Sequence, residues 1–428
     1  MPAEYRAHGC TIRDHSVPLP LDRADSHSPN IPVFVREIIP DGGENRPYLI
    51  FFQGGPGSPS PRQGNPRDGW LGEALKHHRV LLLDQRGTGR SRQLDALTLS
   101  EFDSDAEKAA YLANFRADSI VADAEDLRAY FESPAWYGLG QSYGGFCLTT
   151  YLSRAPEGLA GVYITGGLPA VDASLDDIYR RTYAATIRRN REYMQQYPDA
   201  QLIRDIATHL EGHEEILPTG ERLSSRRFRT LGIAFGGSGS FDSLHYLLED
   251  PFTTVRGQKR LNTPFLTRVG AQLSYAGNPL YAVMHETIYG GTIAGEATNW
   301  AAHRIRAEFP GMEEDANPRG SEYYLTGEHI YPWQFDEDPA LIPLRGTAEI
   351  LAARTDWEPL YDLAALDANE VPVTAAIYEE DMYVPYEYSR ALADRLGARA
   401  WVTNEYHHDG LRSSGGRVLA RLFEMAAQ

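Results

Sequence analysis

Apolar residues fall along this chain in two rhythms. Short unbroken runs come first: Pro47 to Phe52 (PYLIFF) and Arg79 to Asp84 (RVLLLD) each end at a glycine-rich turn. A run of that length, bounded by turn residues, predicts a strand buried on both faces. Ala135 to Gly140, Leu159 to Thr165, Val371 to Tyr378 and Ala398 to Thr403 read the same way. Between them, apolar positions recur at helical spacing. Ile120, Val121, Ala124, Leu127 and Phe131 mark one face of a helix over Ser119 to Phe131; Gly144 to Leu152 and Leu419 to Ala427 predict two more. Strands alternating with helices predict an α/β fold, a mostly parallel sheet flanked by helices.

The rhythm breaks in the middle. From about Leu175 to Leu344 the pattern is largely helical and rich in Tyr and Arg, with a long amphipathic stretch from Ile178 to Tyr197 and an aromatic, turn-rich one from Glu322 to Trp333. No buried-strand pattern stands out there. Because strands return afterwards, the economical division is a core in two parts, 1–168 and 346–428, interrupted by a helical cap at 169–345.

Composition adds limits. The 428 residues carry 59 acidic against 41 basic side chains, a net charge of −18, which argues against nucleic acid or an anionic membrane surface as the main partner. The 42% hydrophobic and 11% aromatic content supplies a packed core. Two cysteines, Cys10 and Cys147, cannot build a disulfide framework or a zinc site. No window approaches 18 apolar residues, and Met1 to Arg13 lacks the charged and apolar regions of a signal peptide. A soluble, cytoplasmic protein is expected.

Candidate chemistry centres on Gly140-Gln141-Ser142-Tyr143-Gly144, the one G-x-S-x-G in the chain. Small neighbours on a strand-to-helix turn leave a serine Oγ clear and aim the next backbone N–H at the reacting oxygen. Chance supplies roughly 0.2 such strings in this length, so the preceding strand and following helix carry the weight. A nucleophilic serine needs a base, and the base an orienting acid, in the order Ser, Asp or Glu, His. Glu379, Glu380 and Asp381 follow the strand ending at Tyr378, and Asp381 has the length the turn needs. His407 and His408 follow the last strand, and spacing does not choose between them. Gln53-Gly54-Gly55-Pro56-Gly57 follows strand 47–52 and offers the second oxyanion donor: Gly55 N–H, with Gly54 as rival, beside Tyr143 N–H. No G-x-G-x-x-G or P-loop occurs, and His213-Glu214 and His285-Glu286 lack a second histidine at zincin spacing.

Together, QGGPG at 53–57, DQRGTGRS at 84–91, GQSYGGF at 140–146, EEDMYVP at 379–385 and EYHHDGLR at 405–412 resemble the prolyl aminopeptidases (proline iminopeptidases) of the α/β-hydrolase superfamily, in their longer form with a large helical cap. The resemblance implies a serine exopeptidase that releases N-terminal proline from small peptides through an acyl-enzyme, without metal or cofactor. It implies Ser142 as nucleophile, Asp381 as acid and His408, just before Asp-Gly, as base. Cap glutamates bind the free amine in the family. The segment His285 to Tyr289 (HETIY) resembles one that holds such a residue, favouring Glu286, with Glu296 and Glu328 as weaker candidates. The sequence departs from the family at Gln53, where His is usual, and at Tyr378, where Gly is common. An esterase or lactonase on the same fold would share the triad but not the amine site; a receptor that keeps the triad as a relic is the remaining alternative.

Overall fold

The structure, a computed structural model, describes residues 3–289 and 295–428. Its centre is a nine-stranded sheet in the order β1-β2-β3-β5-β4-β6-β7-β10-β11. The strands are β1 (Ala3–Ala7), β2 (Cys10–Pro20), β3 (Asn30–Pro40), β4 (Tyr48–Phe52), β5 (Arg79–Asp84), β6 (Trp136–Gln141), β7 (Leu159–Thr165), β10 (Val373–Tyr378) and β11 (Arg399–Thr403). From β5 to β11 every neighbouring pair is parallel, whereas β1, β2 and β3 pair antiparallel, and β3 joins β5 antiparallel.

The unbroken apolar runs have the cause the sequence suggests. Alternate side chains of one strand enter two different layers. Ile50 and Phe52 of β4, with Leu81 and Leu83 of β5, pack among residues of the helices Ala117–Tyr130 and Tyr143–Arg154, such as Val121 and Leu148. Leu49, Phe51, Val80 and Leu82 point the other way, against Trp70 and Leu71 of the helix Gly69–Ala74 and Leu419 and Leu422 of the helix Arg417–Ala426. The three N-terminal strands were not foreseen. Pro18, Pro32 and several charged side chains break the alternation that would have marked them.

Between β7 and β10 the chain is mainly helical, beginning with the long helix Leu175–Gln196. It also forms one small antiparallel hairpin, β8 (Phe252–Val255) with β9 (Gln258–Leu261), mostly exposed and without the apolar run of a buried strand. This region has its own core, built from Tyr193, Ile203, Leu210, Phe228, Phe235 and Leu244 among others. Met382, from the loop after β10, is buried in that second core and not in the first. Among the described residues no helix is long and apolar enough to cross a membrane.

Candidate active site

Parallel strands deliver their following loops to one edge of a sheet. Here that edge collects the turn after β4, Ser142 after β6, Gly166-Gly167 after β7, Glu379 to Asp381 after β10 and Asn404 to His408 after β11.

Ser142 sits between β6 and the helix Tyr143–Arg154 with φ 57° and ψ −127°. A non-glycine residue at positive φ is strained, and such strain clusters at functional sites. The turn is tight enough that a Cβ on Gly144 would lie 1.9 Å from the Phe52 carbonyl oxygen. Tyr143 opens the helix, so its N–H has no intrahelical acceptor and adds to the positive end of the helix. Gly54 packs directly on Ser142, since a Cβ there would meet Ser142 Cβ at 2.9 Å. Gly55 follows with φ 130°, and its N–H belongs to the peptide unit that leaves Gly54. Gln85, from the DQRG string, donates from Nε2 to the Gln53 carbonyl at 3.1 Å. That bond fixes the turn from behind, at the position where the family's histidine is missing.

Asp381 and His408 are brought together. His408 Nδ1 donates to Asp381 Oδ2 at 2.7 Å, and both residues are buried. The other oxygen, Oδ1, accepts backbone N–H groups of Tyr383 at 2.9 Å and Val384 at 3.1 Å, so the carboxylate cannot swing. With Nδ1–H committed, the neutral imidazole presents Nε2 as its acceptor. Burial works against a charge on His408, but the Asp381 charge and hydrogen bond outweigh it and raise the imidazole above its ordinary value. The Tyr383 ring meets the imidazole edge-on, with centroids 4.8 Å apart. Ser142 Oγ makes no hydrogen bond to His408. The two sides of the site are linked through Gly166-Gly167: a Cβ on Gly167 would lie 2.4 Å from Ser142 O, and one on Gly166 3.3 Å from Asp381 Oδ2. Of the other candidates, Glu379 is exposed and Glu380 half-buried. His407 is half-buried and has no bond to Asp381.

The loops after β10 and β11 are also tied to the helical region. His408 N–H donates to the Gly236 carbonyl at 3.1 Å, and the Tyr383 hydroxyl donates to the Ile233 carbonyl.

Two carboxylates from that region are withdrawn from solvent, Glu286 buried and Glu328 half-buried. Glu328 lies close enough to His408 and Asp381 for their charges to act on it, and it accepts the Tyr281 hydroxyl at 2.6 Å. Glu286 accepts the Ala302 N–H at 3.0 Å through Oε1, while Oε2 has no partner. Burial dominates both, pushing each carboxyl up to about 7. Glu296, by contrast, is exposed. His285, between the rings of Tyr281 and Tyr289, is driven down to about 4 by burial, so it brings no positive charge to either carboxylate. Phe146, one turn after Ser142, faces Tyr289 with centroids 6.0 Å apart, and Tyr289 faces Tyr179 at 5.9 Å. Phe146 and Tyr179 gave no signal beyond helical periodicity.

Comparison with known proteins gives the same direction. Residues 47–268 match the alpha/beta hydrolase fold family. The chain is 43% identical to a proline iminopeptidase of Aeromonas sobria, over 99% of this chain and 98% of that one. It is 31% identical to a proline iminopeptidase of Aspergillus aculeatus, over 97% of this chain and 94% of that one. With this identity sustained from end to end, the chain belongs to the proline iminopeptidase family of α/β hydrolases.

Proposed function

We propose that the chain is a serine exopeptidase that removes N-terminal proline from small peptides, with Ser142, His408 and Asp381 as its triad. The observation that carries this reading is Glu328. A desolvated carboxylate within reach of the Asp381–His408 charges serves a cationic substrate group, and a simple esterase has no use for one. The ammonium of the N-terminal proline would meet Glu328 and Glu286, and the ring would pack against the aromatic cluster of Phe146, Tyr179 and Tyr289. Residues 169–345 would act as the cap that admits short peptides and excludes folded chains.

In this reading Ser142 Oγ attacks the prolyl carbonyl while His408 Nε2 takes its proton. The N–H groups of Gly55 and Tyr143 receive the oxyanion; in comparable hydrolases one such donor is worth about 3 kcal/mol of transition-state stabilisation. His408 then protonates the departing amine, and water releases proline from the acyl-serine by the reverse proton path. No step calls on a metal or cofactor. Both cysteines are buried free thiols, which supports a cytoplasmic setting.

The test is release from L-proline arylamide beside its N-acetyl form, with Ser142→Ala as control. Turnover of the free amine alone, lost in the variant, is the expected result. Equal rates on the acetylated substrate would remove the exopeptidase assignment.

A further inference from the structure

Buried guanidinium groups in this chain are, with few exceptions, fully satisfied. Arg86, 1% exposed, grips Asp123 with Nε and Nη2 at 2.8 and 2.6 Å and spends its remaining N–H groups on the carbonyls of Pro20, Leu21 and Asn114. Arg229, also 1% exposed, has no carboxylate but gives Nε, Nη1 and Nη2 to the carbonyls of Tyr324, Glu313 and Gly311. Arg116 departs from this rule most sharply. It is 3% exposed, and its one hydrogen bond runs from Nη1 to the Glu358 carbonyl at 3.1 Å. Nε and Nη2 are both buried without a partner. Asp118 acts on Arg116 through its charge but forms no ion pair with it, and Arg154 nearby has the same sign.

Nε and Nη2 form one edge of the guanidinium. In Arg36, Arg86 and Arg180 that edge holds both oxygens of a carboxylate, from Asp14, Asp123 and Glu308. In Arg116 the same fork faces no acceptor, in a place without water-exposed surface. A buried charge left in this way keeps its full desolvation cost. Two further buried donors close by also lack partners: the hydroxyl of Tyr361, on which the Arg116 charge acts, and the indole N–H of Trp357, whose ring lies 4.7 Å from the guanidinium carbon. A cation with an empty fork, flanked by unmet donors, calls for an acceptor carrying negative charge.

We infer that the Nε/Nη2 edge of Arg116 is a buried binding site for a small monovalent anion such as chloride, in the neighbourhood of Tyr361 and Trp357. The site lies at the start of the helix Ala117–Tyr130. It is distinct from the amine-binding carboxylates and has the opposite polarity.

Crystals soaked in sodium bromide, with diffraction collected at the bromine edge, test this directly. An anomalous peak at hydrogen-bond distance from Nε and Nη2 is expected. In solution, chloride and bromide should raise the melting temperature saturably above sodium isethionate at equal ionic strength, and Arg116→Gln should abolish that increment. Should the variant fail to fold, the bromide map of the unaltered protein decides. A wild-type map without the peak, together with identical melting in halide and isethionate, would overturn the inference and leave Arg116 to a water molecule.

Discussion

Glu328→Gln tests the amine site with the least disturbance. The substitution keeps the shape of the side chain and an acceptor for the Tyr281 hydroxyl, and it removes only the charge. A hydrogen bond to a charged partner is worth about 1.5–3 kcal/mol, so kcat/KM on proline arylamide should fall about 10- to 150-fold. The pH profile gives a second, independent reading. Burial raises Glu328 to about 7, and Asp381 raises His408 against its burial. Glu328 must be ionised to hold an ammonium, and His408 must be neutral to act as base. On the acid side, log kcat/KM for the amide should therefore climb through two ionisations, with a slope near two. An aryl ester without an amine depends on His408 alone and should show a slope near one. Glu328→Gln should bring the amide profile to the ester's slope; because the Glu328 charge also helps to raise His408, the ester's acid limb should move to lower pH while its plateau rate stays unchanged. Steady-state kinetics from pH 5 to 9 on both substrates measures this. An unchanged amide slope, or an equal loss on the ester, would refute the reasoning. The same loss in Glu286→Gln alone would transfer the role to that carboxylate.

Other outcomes follow from neighbouring geometry. Glu286 is raised from 4.5 to about 7 by burial, so the stability its neutral form supports is complete below pH 4.5 and is lost as pH rises through 7. Glu286→Gln removes that loss, and urea melts should show it gaining up to about 3 kcal/mol on wild type at pH 8 and little at pH 5. Asp381→Asn replaces the acceptor of the His408 Nδ1–H and disturbs the tautomer, so kcat should drop about 10⁴-fold with KM within a few-fold. An intact kcat would show that another group orients the base. Gly54→Ala puts a methyl 2.9 Å from Ser142 Cβ and 3.0 Å from the Gln141 carbonyl. Displacing the nucleophile should lower kcat about 100-fold while the melting temperature falls only modestly; unchanged turnover would mean that the turn has room to yield.

The parts of this molecule that were legible in sequence are those whose cause is local. PYLIFF and RVLLLD read as strands because both faces of each are buried, which leaves no polar position to confuse the pattern. The G-x-S-x-G turn was legible because its glycines answer to contacts a few residues or one strand away. The strands from Ala3 to Pro40 were not, because their pairing depends on partners distant in sequence and their alternation is broken by proline and charge. The cap carboxylates show the limit most clearly. Glu286 came forward through its HETIY context, and Glu328 ranked below it, since nothing beside residue 328 in the chain signals the approach to His408. Arg116 gave no signal either: an arginine before a helix reads as surface, and only the packed structure leaves its fork without an acceptor.

The ties between the helical region and the catalytic loops bear on how such an enzyme can be altered. His408 donates its backbone N–H to Gly236, Tyr383 bonds to Ile233, and Met382, the neighbour of Asp381, is packed in the second core. On the proposed reading, this lid is thus part of the scaffold that registers acid and base, and it cannot be treated as an exchangeable cassette. A chimera carrying another relative's lid would have to import residues 382–383 and the contacts of 408 with it, or lose its triad along with its old selectivity. Changes of substrate range in this lineage are accordingly best sought as point substitutions on the lid's inner wall, where the pocket can be reshaped without loosening the frame.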